Sequence, residues 1–174
     1  FLWYVHMDSG VKGIRVRNFK NPLLDEDLNI NFFSYDSHMI IKAKFEKFSE
    51  PLVKNLKNIQ GGSFNDVIPG IIHFTFNKKE YSLLPTIAPS GRFFIVFGDQ
   101  TNGNESYGGG RFLYINPPQK NGDIILDFNK AYNPPCVFST FTTCPIPSKD
   151  NILPFKVNAG EKNYNGILFS SVYQ

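Results

Sequence analysis

The chain has 174 residues, of which 41% are hydrophobic and 16% aromatic, which is enough apolar content for one domain with a substantial core. The formal net charge is +3, and lysine and arginine occur as scattered singles and pairs rather than as a stripe on one element. This pattern argues against a nucleic-acid-binding protein, and no run approaches the roughly 20 apolar residues of a membrane-spanning helix.

Residues 1–20 are interpreted as an N-terminal arm or extension, and residues 21–174 as the main β domain. The arm opens on FLWYVHM, which fits a buried strand, the remainder of a cleaved signal or a truncated membrane anchor. VKGIRVR at 11–17 alternates as an extended strand does. Because exposed patches rich in Trp and Tyr are unusual, we expect the arm to be buried on its own domain, on a protein partner or, if it is an anchor remnant, at a membrane. The compartment stays undetermined, although the composition is that of a soluble domain.

Short strands separated by turn residues dominate the remaining sequence. MIIKAKFEKF alternates apolar and charged residues as a half-buried strand does, and the two runs that flank NKKE predict a hairpin. Short helices are expected only near 23–29 and 50–58. The predicted strands are 39–48, 71–76, 81–87, 92–97, 111–115, 123–128, 153–157 and 167–173. The predicted fold is mostly β, a single-domain antiparallel β-barrel or closed β-sandwich with at most one or two short helices.

The run FGDQTNGNESYGGGRF concentrates polar groups directly after a predicted buried strand. Asp99 and Thr101 are placed to close an Asx-type turn with a following glycine, and the triple glycine permits a sharp return into the next strand. Two interpretations remain open. The segment is either a structured loop in which Arg111 pairs with Asp99 or Glu105, or a binding loop in which these groups and Tyr107 meet a polar ligand.

A second polar motif, DFNKAYNPPCVFSTFTTCP, follows the next strand. Asp127 and Asn129 share one face if the strand continues through them, and two prolines make the path after Asn133 rigid, with a cis bond as one option. A rigid loop of this kind can hold Tyr132 and Asn133 in a preorganised site. Alternatively, the polar side chains satisfy the backbone groups of the loop itself.

Cys136 and Cys144 are the two cysteines, and their spacing matches neither a zinc knuckle nor a redox motif. Free buried thiols, a disulfide and, least of all, a metal site are the alternatives, because two thiolates need further ligands and only His73 is a plausible one. A Cys136 nucleophile with His73 as base lacks a nearby oxyanion motif. No metal and no cofactor is predicted. Near the end of the chain, Glu161 is expected to form a salt bridge with Arg111.

Four segments taken in order, FGDQTNGNESYGGGRFL, DFNKAYNPPCVFSTFTTCPIP, NILPF and NAGEK, resemble the uncharacterised DUF1684 family. The resemblance covers roughly residues 21–162 and is weaker at the front. Gly98, Asn102 and Ser106 depart mildly from the family pattern. The resemblance implies membership but no reaction, because the family carries no agreed activity.

Three functions are compatible with these motifs. The first is a non-enzymatic binding or assembly module in which a polar cluster fixes the loops. The second is a carboxylate-assisted hydrolase with Asp127 or Glu105 as general base and Arg111 holding an anion, and the third is a small-molecule or cofactor carrier with an internal cavity. The residues expected at the shared site are Asp99, Thr101, Glu105, Tyr107, Arg111, Asp127, Asn129, Tyr132, Asn133 and Glu161.

Overall fold

The computed structural model describes residues 2–8, 11–20, 24, 28–118 and 122–166. This part of the chain contains nine strands and four 3₁₀ helices of three residues each. The strands are Leu2–Asp8 (β1), Val11–Arg17 (β2), Ile40–Lys57 (β3), Ser63–Phe76 (β4), Lys79–Leu83 (β5), Thr86–Ile87 (β6), Phe93–Phe97 (β7), Arg111–Ile115 (β8) and Asp123–Asp127 (β9). The 3₁₀ helices are Ser37–Met39, Phe128–Lys130, Pro135–Val137 and Lys149–Asn151.

The larger sheet has the strand order β5-β4-β3-β9, and every pairing in it is antiparallel. Its centre is the long β3–β4 hairpin, whose register shifts between Lys47 and Leu52. A second, three-stranded antiparallel sheet has the order β6-β7-β8. The two sheets curl into a half-barrel. The predicted mostly β, antiparallel fold is therefore confirmed.

The core lies between the inner faces of these two sheets. On β3, Ile41 and Ala43 are buried while Lys42 and Lys44 are exposed, as strand alternation requires. Across the core, Leu113 and Phe128 have no exposed surface. Burying a side chain of this size contributes about 1.5–3 kcal/mol, so the apolar set on these strands holds the two sheets together.

Strand β7 is covered on both of its faces, which explains its uninterrupted apolar sequence. Phe93, Ile95 and Phe97 are buried in the core, whereas Phe94 and Val96 are half-buried on the opposite face. The prediction that residues 92–97 form a strand buried on both faces is thus correct in outline. The second face borders an apolar cleft, whose opposite wall is formed by the segment 145–151.

The helix predicted near residues 50–58 is wrong, because these residues continue strand β3 and pair with β4. Lys54 and Leu56 are half-buried while Val53 and Asn55 are exposed, which is a period of two rather than a helical period. Pro51 lies where the register shifts, a position at which its missing N–H is tolerated. The helix predicted near 23–29 lies largely outside the described residues.

The strand predicted at 153–157 is also wrong. Leu153 N–H donates to the Gly98 carbonyl at 2.8 Å, and Val157 N–H donates to the Asp99 carboxylate at 3.1 Å. Since this segment bonds to a loop and a side chain, it crosses the 98–110 loop, with bends at Pro154 and Phe155, and does not join a sheet. The strand predicted at 167–173 lies outside the described residues.

The remaining predictions on local structure have mixed outcomes. The hairpin around NKKE is confirmed by the β4–β5 pairing, although β6 is separated from β5 by Leu84 and Pro85. No peptide bond among the described residues is cis, so Pro134 and Pro135 follow trans bonds. No helix in this part of the chain is long and apolar enough to cross a membrane.

The arm forms a separate antiparallel hairpin of β1 and β2. Its described apolar side chains, among them Trp3 and Ile14, are exposed. The expectation that the arm is buried on its own domain is therefore wrong, because the hairpin forms a two-stranded sheet of its own. Burial against a partner or a membrane stays a prediction.

Replacing Gly70 by alanine is expected to lower the free energy of unfolding by about 1–3 kcal/mol. A Cβ atom at Gly70 would meet the backbone carbonyl of Glu46 and would lie 2.6 Å from Cζ of Phe45. The matched control is Gly13→Ala in strand β2, where no atom lies within 4 Å of the added carbon. Urea denaturation of both variants tests this, and equal stabilities would refute the close packing at the β3–β4 hairpin.

Candidate functional site

The loop between β7 and β8 is built on an Asx-type turn, as the sequence predicts. The Asp99 carboxylate accepts the Thr101 N–H at 2.8 Å, and the Thr101 carbonyl accepts the N–H groups of Asn104, Glu105 and Ser106. Gly103 has φ of +83°, a left-handed conformation that other residues rarely adopt. The turn sends the chain back towards β8 and leaves the Asp99 side chain inside the protein.

Arg111 is the first residue of β8, and its side chain lies on the core-facing side of the strand. Its Nη2 atom lies 2.8 Å from Asp99 Oδ2, and both side chains have 0% exposure. Nη2 also donates to the Val157 carbonyl at 2.8 Å, and Nη1 donates to the Ala159 carbonyl at 2.5 Å. The guanidinium is therefore held between the loop on one side and the C-terminal segment 153–161 on the other.

Burial lowers the pKa of Arg111, and the adjacent Asp99 carboxylate acts in the opposite direction. The guanidinium also lies 5.5 Å from the ring centre of Phe97 and 5.7 Å from that of Phe33. A charge in such surroundings is tolerated only when it is paired and hydrogen-bonded. Arg111 meets this condition at its two Nη atoms, which bind one carboxylate and several backbone carbonyls, whereas its buried Nε has no hydrogen-bond partner.

Glu161 and Asn133 form the adjoining part of this cluster. The Glu161 carboxylate accepts the backbone N–H of Asn133 at 2.8 Å, and the Asn133 amide donates to the Lys162 carbonyl at 2.8 Å. Burial raises the pKa of Glu161, while the Asn133 N–H has the opposite effect. These contacts fasten the NPP loop to the end of the C-terminal segment.

The expected salt bridge between Arg111 and Glu161 is wrong. Arg111 donates to the main-chain carbonyl of Glu161 at 3.3 Å, whereas the Glu161 carboxylate is bound to Asn133. The carboxylate partner of Arg111 is Asp99, which was one of the two partners considered for a structured loop. The Asx turn decides the choice because it directs Asp99 inwards.

Asp127 and Asn129 lie in a separate cluster. The chain leaves the strand at Asp127 and enters a 3₁₀ helix, so the two residues do not share a strand face as expected. Asp127 accepts the Asn129 N–H at 3.2 Å and pairs with Lys130 at 3.1 Å. The Asn129 amide donates to the Asp36 carbonyl at 2.9 Å. Asp127 therefore satisfies a backbone group of its own loop, as the alternative interpretation of the motif required, whereas the Asn129 side chain binds the backbone of a distant segment.

Glu105, Tyr107 and Tyr132 lie at the margins of the cluster. Glu105 forms a half-exposed ion pair with Lys156 at 3.0 Å. The Tyr107 hydroxyl lies 3.7 Å from Cys136 Sγ, and burial raises the pKa of this phenol to about 12. Tyr132 stacks on Tyr114 with 6.1 Å between ring centres, and burial raises its pKa as well. The central group therefore consists of Asp99, Thr101, Arg111, Asn133 and Glu161.

The two cysteines lie side by side as free thiols. The Cys136 N–H donates to Cys144 Sγ at 3.2 Å. His73 lies elsewhere, on the outer face of the larger sheet, 3.5 Å from Glu46. In the described residues, no group of three or more His, Cys, Asp or Glu residues is arranged to hold a metal ion.

Asn151 is a buried polar residue that sequence reasoning missed. Its amide donates to the carbonyls of Leu84 and Val96, and its side-chain oxygen accepts the Leu84 N–H at 2.8 Å. The residue therefore ties the 3₁₀ helix Lys149–Asn151 to both β7 and the turn before β6. The only signal for this role in the sequence was that Asn151 opens the otherwise apolar NILPF segment.

Two cavities lie outside the polar cluster. The first, about 450 Å³, is an open groove on the outer face of the larger sheet beside Lys44 and His73. The second, about 240 Å³, is an apolar cleft between the β3–β4 hairpin, β7 and the segment 145–151. The side chains that line this cleft include Leu56, Phe64, Ile68, Phe94, Val96 and Ile146. None of the ten predicted site residues lines either cavity.

The chain belongs to the family described as protein of unknown function (DUF1684), which matches residues 28–162. The matched region ends directly after the residues that bind Arg111, and it leaves out the N-terminal arm. An uncharacterised protein of Haloarcula marismortui with a solution NMR structure is 28% identical to this chain, with a TM-score of 0.63. The similarity covers 76% of this chain and 75% of the archaeal protein. No curated protein matches the chain.

Replacing Asp99 by asparagine is expected to lower the free energy of unfolding by about 3–5 kcal/mol, because Arg111 is left as an uncompensated buried charge. The matched control is Glu105→Gln, which removes one charge from the half-exposed pair with Lys156 and should cost less than about 1 kcal/mol. Chemical denaturation measures both variants. Similar losses would contradict the structural role of the buried pair.

The stability of the protein is expected to rise between about pH 7 and pH 8.5 through Cys144. A hydrogen bond from the Cys136 thiol lowers the pKa of Cys144 to about 7, and the Cys136 N–H adds to this effect against burial. Because an unfolded cysteine titrates near pH 8.5, the unfolded chain binds more protons in this window. The stabilisation is therefore largest near that value and is lost as the pH falls through about 7. At higher pH the hydrogen bond to Cys144 and burial raise the pKa of Cys136, which acts in the opposite direction.

Denaturation curves of the wild type and Cys144→Ser across this pH range test the effect. The difference in stability between the two proteins should widen as the pH rises. Thiolate absorbance in the ultraviolet should titrate near pH 7 in the wild type and not in the variant. A constant difference in stability across the range would contradict the assignment.

Proposed function

We propose that the protein is a non-enzymatic binding module that holds the apolar part of a small molecule in the cleft of about 240 Å³. In this proposal the polar cluster does not contact the ligand and instead fixes the loops that close the cleft. The observation that carries the proposal is a partly enclosed apolar cavity beneath the second face of β7. Ligand sites of proteins are typically concave and mostly apolar, with few polar groups.

The volume of the cleft limits the size of the ligand. An apolar cavity of about 150 Å³ holds a molecule of the size of benzene. The present cleft therefore suits a bicyclic ring or a short branched or acyl chain. Phe64 and Phe94 offer ring surfaces to such a group, and Ile68 and Ile146 supply aliphatic surface.

The polar groups of the cleft favour a ligand whose buried portion carries no charge. The Asn151 side chain uses both amide hydrogens and its oxygen on backbone groups. Lys54 is engaged by Asp150 at the margin. Thr86 and Ser148 provide hydroxyl groups within the lining, and these can orient one polar atom of the ligand.

The polar cluster is connected to the cleft through Gly98. The Gly98 N–H donates to the Asn151 carbonyl at 2.9 Å, and the Gly98 carbonyl accepts the Leu153 N–H at 2.8 Å. Gly98 directly precedes Asp99, so the buried ion pair and the wall of the cleft share one backbone segment. This arrangement supports a structural role for the cluster in a binding protein.

The contacts of the three residues considered for hydrolysis favour the non-enzymatic proposal. Arg111 has no exposed surface on which to hold a substrate anion. Asp127 is bound to Asn129 and Lys130, whereas Glu105 is bound to Lys156 at another place. A general base and an anion-binding group need to face one reacting centre, and these residues have separate sets of partners.

Binding of the neutral fluorophore N-phenyl-1-naphthylamine tests the proposal. Ile146→Trp is expected to fill the cleft and weaken binding at least about ten-fold, a loss of 1.4 kcal/mol. The matched control is Ile125→Trp, because Ile125 is exposed on β9 and does not line the cleft. Equal binding by both variants, or no binding by the wild type, would refute the proposal. Native mass spectrometry of the gently purified wild type would identify a ligand that it retains.

A further inference from the structure

The N-terminal hairpin presents apolar side chains that the rest of the described chain leaves uncovered. Trp3 pairs with Val16 and Val5 pairs with Ile14 across the two strands. These four residues are exposed by 65%, 57%, 63% and 69%. Cross-strand partners lie on the same face of a sheet, so the four side chains form one continuous apolar face.

Residues 1–20, the N-terminal arm that contains this hairpin, account for all of the net charge of the chain. They contain Lys12, Arg15, Arg17 and Lys20 against the single acidic residue Asp8, which is a net charge of +3. The whole chain also has a net charge of +3, so acidic and basic residues balance over positions 21–174. The arm is thus a cationic element attached to an electrically neutral domain.

We propose that this hairpin docks on the surface of a lipid membrane that contains anionic lipids. The apolar face would enter the boundary between headgroups and acyl chains, and the net positive charge of the arm would attract the anionic headgroups. Trp3, which lies on this face, belongs to the residue types that are enriched at this boundary. The hairpin lies on the surface and does not span the bilayer.

Charge and apolarity together favour lipid over the other occupants of this face. A second copy of the hairpin would cover the apolar residues but would bring two elements of net charge +3 together. Nucleic acid would neutralise the charge but would leave the Val5–Ile14 pair in water. An anionic lipid surface satisfies both features, because it offers negative headgroups above an apolar layer.

The chain has an internal probe for this interaction, because Trp3 is its only tryptophan. The full-length protein is mixed with vesicles of phosphatidylcholine that contain phosphatidylglycerol, or with vesicles of phosphatidylcholine alone. With the anionic vesicles, Trp3 emission should shift to shorter wavelength and the protein should sediment with the lipid. High salt should reduce this binding at least about ten-fold, since screening acts on exposed charges.

Two double variants with similar chemistry separate the hairpin from the domain. Val5→Glu with Ile14→Glu should abolish sedimentation with anionic vesicles. The control is Val53→Glu with Val67→Glu, because Val53 and Val67 are also cross-strand partners and are exposed by 62% and 45%. This control should bind as the wild type does. Thermal melting of both variants verifies that the domain remains folded.

Several results would overturn the proposal. These are the absence of a Trp3 shift with anionic vesicles, equal binding to both vesicle types, or equal losses in the two double variants. A concentration-dependent dimer that Val5→Glu with Ile14→Glu abolishes would assign the face to a second copy. A larger Trp3 shift with duplex DNA than with anionic vesicles would assign it to nucleic acid.

Discussion

The ion pair between Arg111 and Asp99 is the interaction on which the loop structure of this protein depends. Both side chains are removed from water, and the loss of hydration of two charges can exceed their mutual attraction. Such a pair adds little to the net free energy of folding, but it fixes the position of the loop. A misplaced loop would leave one charge buried and unpaired, which is costly. Here the pair joins the turn after β7, the start of β8 and the backbone at Val157 and Ala159. Three segments distant in sequence are held in one arrangement.

The cleft follows from this arrangement. The C-terminal segment 153–161 crosses the loop instead of joining a sheet, so its backbone bonds go to Gly98, Asp99 and Gln100. Residues 145–151 are consequently held over the outer face of β7, and Asn151 fixes their distance from that strand. Phe94 and Val96 would otherwise face water. The polar cluster and the apolar cavity are therefore two consequences of one chain path.

The charge distribution divides the protein into two parts. The domain is electrically balanced and also exposes apolar side chains such as Val53 and Phe141, whereas the arm combines an exposed apolar face with net positive charge. The family match begins after the arm, at residue 28. The proposed ligand cleft thus lies in the part that the family shares, and the proposed membrane contact lies in a part outside the match. The two proposals rest on different residues and are tested by different variants.

Short-range patterns determined the strand content, the Asx turn after Asp99 and the concentration of polar groups between β7 and the second motif. These features depend on alternation and on neighbours a few positions apart, and both can be read along the sequence. The tertiary structure alone decided the carboxylate partner of Arg111, the path of residues 153–157 over the loop and the continuation of β3 past Pro51. The reason is that the deciding hydrogen bonds join distant positions, such as Arg111 and Val157, which are 46 positions apart. Local patterns carry no information on which distant backbone group will be left for a buried guanidinium to bind.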